Sequence, residues 1–209
     1  MTERELTAAH RKVLDAIDEA WMVSRLRDLI TVPSVTGTDA ESELQNRMAR
    51  DFEAFGLDVD LWKLDLAELE SDPDYPGAEA ERSEGYGLVG VTPGEGDIGF
   101  VLQGHIDVVP TGDLGKWDAD PFSGEIVGDV LHGRGACDMK ASVVANMAVA
   151  KALAASGVRF EKRFALHQVV SEEDGGLGAF ATMKRGHTGE ACVITEPTSG
   201  RIVVANAAR

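Results

Sequence analysis

The stretch from Val101 to Lys140 constrains this chain more than any other. An apolar run, Phe100-Val101-Leu102, ends on Gly104-His105-Ile106-Asp107, and further on Gly133-Arg134-Gly135-Ala136-Cys137-Asp138 leads into a long helical pattern. A strand that delivers His and Asp to its carboxyl end, followed by a helix that starts on an Asp, is how an open α/β sheet builds a site. The period of two in His105-x-Asp107 puts both side chains on one face of an extended segment. Two further apolar runs end in the same way. Val169-Val170 is followed by Glu172 and Glu173, and Val193-Ile194-Thr195 by Glu196. Singly, each piece has a plainer reading: a chance HxD, a solvated acidic turn, an Asp that caps a helix. Their common position at strand ends argues instead for a carboxylate-rich site for two divalent metals.

The rest of the chain supplies an α/β frame. Thr2-x-x-Glu5 has the form of a capping box. Leu6, Ala9, Val13, Ile17 and Trp21, then Leu26, Leu29 and Ile30, recur at helical spacing and predict one helix ended by Pro33 and Gly37. A second helix starts at Thr38-Asp39, with Leu44, Met48, Phe52 and Phe55 as its stripe and Gly56 as its cap. Leu57, Val59 and Leu61 alternate with acids as a half-buried strand does. Residues 65–87 are acidic and hold Pro and Gly, the composition of a surface loop. Residues 86–91 and 100–103 follow as strands. The next loop carries Trp117, Pro121 and Phe122. A helix then begins at Asp138 with Met139, Val143, Met147, Ala150 and Leu153 on one face, and ends at Gly157. Residues 164–170 read as a strand, 179–184 as a short helix, 191–195 as a strand, and 201–206 as the start of another extended piece. Strands alternating with helices argue an α/β layer fold with a mostly parallel mixed sheet flanked by helices.

Composition narrows the partners. The formal net charge of -16 disfavours nucleic acid and anionic membrane surfaces. Two cysteines, Cys137 and Cys192, make no disulfide framework and fit a reducing compartment. The N-terminal MTERELTAAHRK lacks the apolar core of a signal peptide, and residues 141–157 are too short and too polar to span a membrane. The expectation is a cytoplasmic protein. Gly133-x-Gly135 lacks the spacing of a dinucleotide loop and precedes an Asp that would repel phosphate.

GHIDVVP, WDADPFSGEI, LHGRGACDMK, SEEDGG and ITEPT, in that order, resemble the successive signatures of the acetylornithine deacetylase, succinyl-diaminopimelate desuccinylase, carboxypeptidase G and aminoacylase family. The likeness runs from about Leu26 to the end of the chain. It implies a zinc-peptidase-like catalytic domain and a metal-dependent amidohydrolase that cleaves N-acyl amino acids or related small peptides. His105 and Glu196 would bind one metal, Glu173 the other, and Asp138 would bridge them. Asp107 would stand behind His105 and orient it, and Glu172 would be the general base toward the attacking water. The cofactor would be two divalent ions, zinc or alternatively cobalt. The resemblance also implies a cis peptide bond between Asp138 and Met139.

Members of the family are about twice as long. The resemblance therefore assigns residues 1–199 to the N-terminal part of the catalytic domain and 200–209 to the start of a lid and dimerisation segment that the chain lacks. It implies that the last metal-binding histidine is also missing, since His10, His132, His167 and His187 do not match it. With the second metal left only Asp138 and Glu173, a poor or inactive hydrolase is expected. The alternative is a non-catalytic, metal-binding remnant.

Overall fold

The computed structural model describes residues 6–204. Three helices open the chain: α1 (Ala8–Asp15), α2 (Glu19–Ile30) and α3 (Asp39–Ala54). The continuous helical spacing from Leu6 to Ile30 is thus broken into two helices. Asp18 breaks it, because its carboxylate accepts the Trp21 N–H at 2.9 Å and restarts the chain as an N-cap. The capping box read at Thr2 and Glu5 lies outside the described residues. The cap seen on α1 is Thr7, whose side chain accepts the His10 N–H while His10 Nδ1 accepts the Thr7 N–H.

Strand β1 (Asp58–Lys63) follows, then a short helix α4 (Leu66–Glu70) inside the acidic stretch, started by Asp65 on the Glu68 N–H. Next come β2 (Tyr86–Val91), β3 (Ile98–His105) and a two-stranded hairpin, β4 (Ile126–Val127) and β5 (Val130–Leu131). Helix α5 (Ala141–Ser156), β6 (Arg163–Val169), α6 (Leu177–Lys184) and β7 (Cys192–Ile194) complete the order. Residues 201–204 form no strand, and 205–206 of that expected extended piece lie outside the described residues.

The main sheet has the order β1-β2-β6-β3-β7. Strands β6 and β7 run parallel to β3, and β2 is antiparallel to both β6 and β1. Four strands therefore share one direction and only β2 is reversed. One sheet face carries Leu88, Phe164, Leu166 and Leu102, which join the α3 stripe (Leu44, Met48, Phe52) and α5 (Val143, Met147) in the main core. Val89, Val91, Val101 and Ala165 alternate onto the other face and form a smaller cluster with Trp62 and Ile98. Strand β3 thus lies between β6 and β7, and its carboxyl end opens where the connections leave in opposite directions, the usual place for a ligand. No helix among the described residues is long and apolar enough to cross a membrane.

His167, on β6, is 5% exposed, and its Nε2 has no hydrogen-bond partner among the described residues. Its ring lies 6.2 Å from that of His187, whose Nε2 bonds Asp60 at 2.8 Å. Burial, then the neighbouring His187, holds the His167 imidazole down at about 4. In the unfolded chain it titrates near 6.5. As the pH falls from about 6.5 to 4, the unfolded chain gains a proton that the folded one refuses, so stability is lost over that window. Glu41, raised to about 7 by burial against the pull of Arg82, works in the opposite sense and loses stability as the pH rises. The contribution of His167 is isolated by comparing wild type with His167→Leu in urea at pH 7 and pH 4.5. The difference between the two proteins should shift by up to about 3 kcal/mol in favour of the variant at the lower pH. Equal shifts would refute the assignment.

Candidate metal centre

Each candidate residue is carried by a backbone element that ends at the same place. Strand β3 ends on His105, which is 1% exposed, and the chain continues extended through Asp107. The sequence pattern starts a helix at Asp138, but α5 begins only at Ala141. Asp138 sits before α5 in an irregular turn, residues 136–140, where Asp138 and Met139 have non-helical dihedrals and the bond joining them is cis. Lys140 anchors that turn. Its buried Nζ donates to Leu29 O at 2.9 Å and Val32 O at 2.8 Å, tying the turn to the end of α2. Burial draws the Lys140 ammonium down to about 8, against the pull of Asp107. Glu172 and Glu173 follow β6. Glu196 follows β7, where Thr195 is held by Asn146 of α5.

The histidine tautomer follows from its partners. Nδ1 lies 2.9 Å from the Asp107 backbone carbonyl, which can only accept, so Nδ1 carries the proton in the neutral ring. The Asp107 carboxylate is further away, at 3.5 Å. Orientation of His105 by residue 107 therefore comes first from its main chain, a contact that residue type alone could not reveal. The other nitrogen, Nε2, is left with its lone pair toward the carboxylates. It lies 3.2 Å from Asp138, 3.8 Å from Glu172 and 3.8 Å from Glu196. His105, Asp138 and Glu173 bring ligand atoms within 4.8 Å of one another, and so do His105, Glu172 and Glu196. Glu172, expected to stand apart as a base, here shares the second of these groups. Its side chain is half exposed and has room to swing.

The Asp107 carboxylate is buried and holds its neighbours instead. It accepts the N–H of Glu172 and of Glu173, each at 3.2 Å, and the Thr36 hydroxyl at 2.9 Å. Burial pushes its pKa up, but His105 and these N–H donors win and hold it below the usual range. Burial raises Glu173 and Glu196; His105 opposes this, while Asp138, Glu172 and Asp107 add repulsion. Burial would lower His105, yet the negative charge of Asp107, Glu172 and Glu196 lifts it to about 9. An imidazole nitrogen facing a surplus of carboxylate is a donor set that fits divalent cations, which would displace its proton and relieve the repulsion among the acids.

The aromatic loop packs as a wall. Trp117 Nε1 donates to Thr111 O at 3.0 Å, and the Arg134 guanidinium lies 5.3 Å from the Trp117 ring centre.

Gly175 closes the turn after Glu173 at φ +145, and a Cβ there would stand 2.3 Å from the Gly77 carbonyl oxygen. Backbone on backbone cannot yield cheaply. Gly176, at φ +91, has open space around it. Gly175→Ala should therefore cost about 3 kcal/mol and Gly176→Ala about 1 kcal/mol, read as urea midpoints. Equal costs would show that the contact with Gly77 is not held in solution.

Fold and site together give an α/β domain whose strand ends gather a group of side chains that could hold a metal ion. The model of peptidase family M20/M25/M40 matches residues 101–205, and the chain belongs to that family. Over 184 residues it is 31% identical to succinyl-diaminopimelate desuccinylase of Methylocella silvestris, covering 85% of this chain and 43% of that protein. Over 105 residues it is 43% identical to the enzyme of the same name from Dechloromonas aromatica, covering 48% of this chain and 28% of that protein. Among solved structures, the di-peptidase Dug1p from Saccharomyces cerevisiae superposes with a TM-score of 0.71 at 21% identity, covering 89% of this chain and 40% of that one. Human carnosine dipeptidase 1 gives 0.70 at 18% identity, covering 92% and 42%. The chain thus spans less than half the length of these relatives.

Proposed function

We propose that this site hydrolyses the amide bond of N-acyl amino acids or related small peptides with the help of two divalent cations. His105 and Glu196 would hold one, Glu173 the other, and Asp138 would contribute to both. The observation that carries the reading is the buried His105 Nε2, turned toward Asp138, Glu172 and Glu196. Such a pair of cations, when bound, acidifies water and polarises a carbonyl. Glu172 takes the proton from the attacking water and returns it to the leaving nitrogen. Asp107 fixes both glutamates through their N–H groups, and its carbonyl fixes the His105 ring. The mixed nitrogen and oxygen donors suit zinc, or alternatively cobalt. The named relatives, desuccinylases and dipeptidases, support a small acylated or peptidic substrate.

In the same reading, residues 1–199 are the N-terminal part of a catalytic domain. Residues 200–209 begin a lid segment through which such enzymes dimerise, and the protein works in the cytoplasm.

The test loads the 209-residue chain with zinc or cobalt and measures amine release from N-succinyl-diaminopimelate, N-acetyl amino acids and dipeptides. Slow cleavage of one class, lost to a chelator and restored by metal, is the expected result. Bound metal without any cleavage would leave only the second reading, a metal-binding module.

A further inference from the structure

Three successive main-chain N–H groups at the metal centre are taken by two buried carboxylates. Asp107 accepts those of Glu172 and Glu173, and Glu41 Oε1, on α3, accepts that of Ser171 at 3.0 Å. The other oxygen of Glu41 accepts Arg82 Nη1 at 2.8 Å and the Gly37 N–H at 3.2 Å. The Arg82 side chain is only 4% exposed, although it comes from the acidic stretch that reads as a surface loop. Its Nη2 lies 3.6 Å from Asp174 Oδ1. Asp174 in turn accepts the Ser171 hydroxyl and the Ala80 N–H. A chain of charges, Glu41 to Arg82 to Asp174, therefore closes on Ser171 from both sides. Ser171 has φ +60, a left-handed conformation that a non-glycine residue rarely adopts, and it is the hinge from which Glu172 and Glu173 project.

We propose that Glu41, Arg82 and Asp174 form a buried clasp that positions Glu172 and Glu173, so that the affinity and geometry of the metal centre depend on three side chains that touch no ligand atom. The metal part of this inference rests on the proposed function above. Glu41, Arg82 and Asp174 are positioning residues. Segment 77–82, through Arg82 and the Ala80 N–H, is a strap over the loop that holds the two glutamates.

Removing one partner of a buried ion pair strands a charge and endangers folding. The decisive variant is therefore the double substitution Glu41→Gln with Arg82→Met, which removes both charges. Arg82→Lys serves as the conservative partner. Two readouts are taken on the 209-residue chain. The first is amide hydrogen exchange at Ser171, Glu172 and Glu173 without metal, with β3 and β6 amides as reference. The second is titration with cobalt(II) alone, followed by its visible absorption band.

The double variant should exchange these three amides about tenfold faster with the reference unchanged, bind cobalt about 10- to 100-fold more weakly and shift the band. Arg82→Lys should fall between it and wild type. Wild-type exchange, affinity and band in the double variant would overturn the clasp. A wild type that takes up no cobalt, with the amides still accelerated in the variant, would overturn the metal reading while supporting the clasp as the device that places the loop.

Discussion

Asp138→Ala should cost the chain its divalent metal. Asp138 alone is assigned to both cations, so one substitution thins both positions at once. One is left with His105 and Glu196, the other with Glu173, where a zinc site ordinarily has three or more protein ligands. Structural zinc sites bind with about 10–16 kcal/mol from about four ligands, so one ligand carries on the order of 3 kcal/mol. Affinity should fall at least about a hundredfold, measured by competition with a chromophoric chelator. The fold should not follow. The Asp138 side chain is 55% exposed and its hydrogen bond is to His105, so the metal-free variant should unfold within about 0.5 kcal/mol of wild type. Unchanged affinity would remove Asp138 from the metal centre.

Glu172→Gln should separate catalysis from metal retention. The amide keeps the size of the side chain, and the Glu172 N–H bond to Asp107 belongs to the main chain and survives. What is lost is a group able to accept a proton, which should lower turnover about 10²- to 10⁴-fold. Metal content decides the role, because Glu172 lies as close to His105 Nε2 as Glu196 does. Two cations retained with turnover lost would support the general base. Loss of one cation along with turnover would make Glu172 a ligand and contradict the assignment.

The strand ends were legible because their chemistry is local. An apolar run that stops on His105, on Glu172 and Glu173 or on Glu196 announces both a strand and what it delivers. The convergence of those ends depends on β3 lying between β6 and β7, which parallel strands joined by helices make the natural order. What was not legible depends on long-range partners. Thr38-x-x-Glu41 has the form of a capping box, yet the Thr38 side chain makes no cap bond and the Glu41 carboxylate runs to Ser171 and Arg82, far along the chain. Arg82 sits among acids and glycines, so nothing nearby marks it as buried. Lys140 follows an apparent helix start, and its partners are the carbonyls of Leu29 on α2 and Val32 just beyond it. The break at Asp18 is hidden because apolar spacing runs across it unchanged, although Asp18-x-x-Trp21 carries the cap.

If His105, Asp138, Glu173 and Glu196 form a centre for divalent metal, zinc should be found among them. Crystals of the 209-residue chain soaked in zinc, with diffraction recorded on both sides of the zinc absorption edge, test it most directly. Anomalous peaks are expected at the ends of β3, β6 and β7, with His105 Nε2 and carboxylate oxygens about 2.0–2.2 Å from the ions. Zinc bound only elsewhere, with His105 Nε2 still facing bare carboxylates, would contradict it.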